Sequence, residues 1–135
     1  MRLWHSSLLP YLPKQQLVAQ WRELNSIYKN QPKHILINYI YHYNKKELYI
    51  YSAMVIQEML KRGYHINNFQ NYQEYFKGID FKVLEDYTPF KIAHNDTYLK
   101  ICCWNLYEKY IRGQKGFSIE AYQFITNIIS KQEGE

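Results

Sequence analysis

The chain has 135 residues, a net charge of +5 at neutral pH and a pI near 9.1. That is enough for one domain with a real core and short for two, and the basic balance favours a polyanionic partner. Two adjacent cysteines, Cys102 and Cys103, exclude a disulfide framework; there is no C-x-x-C or H-E-x-x-H pattern, and no apolar run long enough for a signal peptide or a membrane span. The expectation is a cytoplasmic protein with no metal, no other cofactor and no membrane partner. Aromatic residues make up 18% of the chain, and 15 of them are tyrosine. Tyrosine fills cores, stacks on bases and serves interfaces, so composition alone does not choose among these roles.

In chain order, Pro10 and Pro13 keep residues 8–13 out of a regular helix. Trp4, Leu8 and Leu9 suggest that the opening segment packs on the body instead of fraying. Pro13 suits a first helical position, and a helix is predicted from about Pro13 to Lys29. Leu17, Trp21, Leu24 and Tyr28 form its apolar stripe. Gln16, Gln20 and Glu23 form a neighbouring row, and Gln15, Arg22 and Ser26 another. Arg22 and Glu23 are therefore adjacent on the side not committed to the core, where they read either as a solvated pair or as chemistry.

A free amino terminus next to such a helix is a usable nucleophile. An α-amino group has a reference pKa of about 7.7–8.0, against about 10.4 for lysine, so roughly a tenth of it is unprotonated at neutral pH. It can form a Schiff base with a sugar aldehyde carbon without a large shift.

Asn30-Gln31-Pro32 marks a turn. In residues 33–43, KHILINYIYHY, both alternating sets contain apolar residues, so periodicity does not separate strand from helix. Here His34 reads equally as a loop tie or a substrate contact. Residues 45–62 read as a strong helix with Leu48, Tyr51, Val55 and Met59 on one face, and Gly63 as its stop. Arg62 reads as a helix-end charge ahead of a phosphate contact. Residues 64–92 are expected to be loops with short helical pieces such as 72–76. Asn95 or Asp96 caps a helix to about Arg112, on which Cys102 and Cys103 are core residues. Ser118 starts a last helix to about Lys131.

The MRLWH opening, the LP-x-QQL segment and the WREL motif of residues 1–24 resemble the pyrimidine dimer DNA glycosylases, a family related to phage endonuclease V. The KHILINYIY segment from Lys33, EMLKRGY from Glu58 and AHNDTYL from Ala93 extend the resemblance over about half the chain. It implies an all-α fold, a compact single domain over residues 1–135 with about four helices and long irregular connections. It also favours a buried loop or short helix over a strand at residues 33–43.

The resemblance further implies a DNA glycosylase with AP lyase activity, acting as a monomer on double-stranded DNA that contains a damaged or abasic site, with pyrimidine dimers the expected lesion. Carried over residue by residue, the nucleophile is the amine of Met1 and the supporting carboxylate is Glu23. Arg2 is too large a second residue for removal of Met1 to be expected. DNA contacts are implied at Arg2, Arg22, Gln16, Lys109 and His34. Gln16 stands where the phage form has histidine, and Ser26 where it has arginine. Two other classes fit the composition. A non-catalytic nucleic-acid-binding protein predicts no covalent trapping, and a helical protein-interaction domain predicts no salt-dependent DNA affinity. The MRLWH start and Arg22-Glu23 occurring together favour the enzyme.

Overall fold

The computed structural model describes residues 1–79 and 86–131, and among them it is helical, with no strand. A 3-10 turn at Ser6–Tyr11 leads into α1 (Lys14–Asn30). A second 3-10 turn, Asn38–His42, precedes α2 (Lys45–Lys61), and then come α3 (Phe69–Tyr75), α4 (Asp96–Ile111) and α5 (Ile119–Ser130). None of the described helices is long and apolar enough to cross a membrane.

Helix α1 packs on α2 and α3, α4 pairs with α5, and the first 3-10 turn is held between α2 and α5. Tyr11 stacks on Phe124 of α5 at 4.4 Å. The opening segment is thus core. Leu3, Leu8, Leu9 and Leu12 are buried with Leu17, Leu24 and Ile27 of α1. Each buried leucine contributes about 1.5–3 kcal/mol, more than enough to hold the first residues down.

Stops and caps are set by local chemistry. Asn44 accepts the Lys46 N–H, Asn95 the Tyr98 N–H and Ser118 the Ala121 N–H. Gly63 takes φ +80° just after α2. Pro13 differs from expectation by one position: its ψ of 155° is extended, so it caps α1, and its carbonyl accepts from Gln16 and Leu17. The segment 33–43 forms a tight turn and a 3-10 turn, but it is only partly buried. Ile37 and Ile40 enter the core while Ile35 stays 86% exposed. The short helical piece expected at 72–76 spans Phe69–Tyr75 instead, and the part of the tyrosine-rich segment at 80–85 lies outside the described residues.

Arg62 does more than end a helix. Its guanidinium donates to the carbonyls of Leu12 at 2.8 Å, and of Leu9 and Pro10 at 3.2 Å. Its Nε pairs with Glu58 at 2.8 Å. The side chain that ends α2 thereby donates to three carbonyls of a proline-containing turn, of which Leu9 alone also accepts a backbone N–H within it, from Leu12 at 3.4 Å.

Candidate active site

Helix α1 separates two cavities. The first, about 380 Å³, is lined by Met1, Arg2, Gln16, Gln20, Glu23 and Lys109, with Trp4, Ala19, Leu36 and Asn105 completing its wall. Five of the seven residues singled out in the sequence meet there, from the amino terminus, α1 and α4. The second, about 480 Å³, lies on the other side of the helix, where Arg22 joins Lys14, Trp21, Asn25, Tyr64 and Asn67. The adjacent residues Arg22 and Glu23 thus face different spaces, as the roughly 100° step of a helix dictates.

Glu23 is not a solvated charge. It is half-buried, and burial raises its pKa above the ordinary carboxylate range. The terminal ammonium, the Arg2 backbone N–H, Arg22 and the Gln20 amide all oppose that rise. It is the one carboxylate among the described residues lining the first cavity. A carboxylate that is drawn from water but kept supplied with donors and a cation can exchange a proton or face a developing positive charge.

Gln20, which the sequence reading placed in a row without a role, organises this corner. Its side chain is buried at 1% exposure. Oε1 accepts the Trp4 N–H at 2.8 Å and faces the Tyr51 hydroxyl at 2.8 Å. Nε2 donates to the Arg2 carbonyl at 3.1 Å and to Glu23 Oε2 at 3.2 Å. Tyr51, itself fully buried, donates to the Trp4 carbonyl at 2.6 Å. The signal that could have found Gln20 is its position one turn before Glu23 on the same face.

Arg2 lines the cavity but directs its guanidinium over Trp4 and Tyr98, at 5.9 and 5.8 Å from the ring centroids. Gln16 forms a reciprocal amide pair with Gln114 at 3.2 and 2.5 Å, which ties α1 to the loop after α4. Lys109 is exposed on the α4 side. His34 is not brought to the cavity wall: its Nδ1 accepts the Leu36 N–H at 3.1 Å in the turn before Ile37, and it is Leu36 that lines the cavity. Arg22 is exposed at the second cavity.

Beneath the opening segment lies a buried histidine pair. His5 Nδ1 accepts the Ser7 N–H, and its ring stacks on His94 with centroids 5.8 Å apart. His94 Nε2 shares a 2.5 Å hydrogen bond with Tyr39, while its Nδ1 finds no partner. Burial, with His5 nearby, pushes the His94 pKa down to about 3, and burial lowers that of His5 as well. Both rings are packing elements in their neutral form. Among the described residues no group of three or more His, Cys, Asp or Glu side chains is placed to hold a metal.

Fold and site together define an all-helical protein in which an α-amino terminus and a half-buried glutamate share one cavity. The chain belongs to the pyrimidine dimer DNA glycosylase family, whose family model matches residues 1–71 and so covers the amino terminus, α1 and both cavity-facing residues of the Arg22-Glu23 pair. No curated protein and no solved structure matches the chain.

Proposed function

We propose that the protein is a DNA glycosylase with AP lyase activity, that residues 1–135 act as one domain and as a monomer, and that the Met1 amine is its nucleophile. The observation that carries this reading is the shared cavity of Met1, Arg2 and Glu23, with Gln16 and Lys109 at its sides.

The amine lone pair attacks C1′ of the damaged nucleotide, the N-glycosidic bond breaks, and its electron pair leaves with the base, which takes up a proton. Ring opening gives an imine between the Met1 nitrogen and C1′. Glu23 faces the cationic sugar and removes the C2′ proton. The C3′–O bond then breaks with the phosphate as leaving group, cutting the strand on the 3′ side, and water releases the amine. A lesion that stacks poorly lowers the cost of extruding a nucleotide toward the cavity. Arg22, at the second cavity, holds a phosphate or the displaced nucleotide of the complementary strand. Lys109, His34 and the other basic groups supply sequence-independent, salt-sensitive affinity. Pyrimidine dimers are the expected lesion.

The test is borohydride trapping on a duplex with one abasic site, using native protein and protein extended at its amino terminus. Trapping by the native form alone supports the Met1 amine. Trapping by both moves the nucleophile to a lysine, and trapping by neither with DNA binding intact leaves a non-catalytic binder. Glu23→Gln is expected to abolish strand cleavage and spare binding; normal cleavage by that variant sinks the assignment.

A further inference from the structure

A buried amide on the core side of a helix is costly unless every donor and acceptor is used. Gln20 uses both amide hydrogens and its oxygen, and the bonds to Arg2, Glu23 and Trp4 all reach residues that line the cavity. The assignment of its atoms is unambiguous. The Trp4 N–H can only donate, so the oxygen faces Trp4 and the nitrogen faces Glu23 and the Arg2 carbonyl.

The consequence falls on the first residues. The Arg2 carbonyl accepts from Gln20 at 3.1 Å, which anchors the Arg2–Leu3 peptide, and the Arg2 N–H faces the Glu23 carboxylate. Only ψ and φ of Arg2 and ψ of Met1 then lie between that plane and the amine. Tyr51 supports the arrangement from beneath, gripping the Trp4 carbonyl while facing the Gln20 oxygen. A methionine or leucine at position 20 would fill about the same volume and hold none of these partners.

We propose that Gln20 is a positioning residue, whose amide registers the amino-terminal segment against α1 and so presents the Glu23 carboxylate to the Met1 amine. This rests on the reading of Met1 and Glu23 given above. Gln20 acts through those two groups. It also keeps an N–H on a carboxylate that burial pushes toward protonation.

The experiment compares native protein, Gln20→Met and Tyr51→Phe. Its readouts are single-turnover trapping on an abasic duplex as a function of pH, DNA affinity, and the ¹³C titration of the Glu23 carboxyl without DNA. Gln20→Met is expected to slow trapping on the order of a hundredfold, the scale of a small misplacement of reacting groups, with affinity unchanged. Its acid limb and the Glu23 titration both move to higher pH, because a donor to the ionised form is lost. Tyr51→Phe lowers stability but leaves the Glu23 titration at its native position. A Gln20→Met protein that is less stable, yet has native trapping per folded molecule and a native Glu23 titration, overturns the proposal and reduces Gln20 to core filler. Should Gln20→Met not fold, amide exchange in the native protein decides. A protected Trp4 N–H supports the clamp, and free exchange there refutes it. Absence of trapping by the native protein defeats the proposed function alone, since the Glu23 titration is read without DNA.

Discussion

Replacing Arg62 by methionine separates two roles for this residue, a structural clamp and a phosphate contact. Methionine keeps the aliphatic stem and removes the guanidinium. The Leu12 carbonyl then loses its 2.8 Å donor beside a buried side chain. An unsatisfied buried acceptor costs about 1–3 kcal/mol. The Leu9 carbonyl retains the Leu12 N–H at 3.4 Å, and Pro10 is exposed, so these two add little. Glu58, its side chain 12% exposed, loses its cation. A fully enclosed pair broken this way costs about 3–5 kcal/mol; with one edge open to water, about 1–2 kcal/mol is expected. The sum is about 3 kcal/mol, or roughly 10 °C in Tm for a chain of this size. Thermal unfolding followed by circular dichroism measures the first quantity. Fluorescence anisotropy on duplex DNA at several salt concentrations measures the second, and the salt slope is expected to be unchanged. A native Tm together with a slope shallower by about one unit refutes the clamp and makes Arg62 a phosphate contact.

Three further outcomes follow from the same structure. Glu23 has a raised pKa, so its ionised form costs stability above the unfolded value, and protonation relieves that cost at low pH. Glu23→Gln is therefore expected to raise Tm at pH 7, with the gain fading as pH falls into the ordinary carboxylate range; differential scanning calorimetry at pH 7 and at about pH 4 checks it, and an unchanged or lowered Tm at pH 7 contradicts it. His94 has its pKa depressed to about 3, so between the ordinary histidine value of about 6.5 and about 3 the unfolded chain binds a proton that the native state refuses. Stability falls across that window by about 1.4 kcal/mol per pH unit at most for this group; urea midpoints from pH 7 to 4 should decline, and His94→Phe should flatten the decline. Lys109→Ala is expected to make the salt dependence of DNA affinity shallower by about one unit, with single-turnover trapping at saturating DNA kept within about threefold; an unchanged salt slope removes Lys109 from the interface.

What was legible in the sequence was local. Leu17, Trp21, Leu24 and Tyr28 recur at helical period and are buried together. Asn95 and Ser118 announce helix starts because a side-chain oxygen there meets an N–H three residues on. The pairing of MRLWH with WREL pointed to the site because both lie within 24 residues. What was not legible is carried by distant pairs without a period. Arg62 reaches a turn some fifty residues earlier, Gln16 pairs with Gln114, and His5 stacks on His94. Burial of Glu23 was hidden for the same reason: the cavity it faces is closed by the amino terminus, Leu36 and α4 as well as by its own helix.

The partition formed by α1 also constrains how the chain can vary in length. Arg22 and Glu23 reach opposite cavities through one fixed angular step, while Gln20 and Glu23 share a face through three. A residue inserted or deleted between Gln20 and Glu23 rotates the downstream part of the helix by about 100°. The carboxylate would turn away from the amino terminus, and the apolar stripe beyond it would leave the core. The segment can absorb many exchanges of side chain but no change of register, so α1 acts as the molecule's phase reference. Added or lost residues are far better accommodated in the turn that follows Asn30, downstream of both cavity-facing residues.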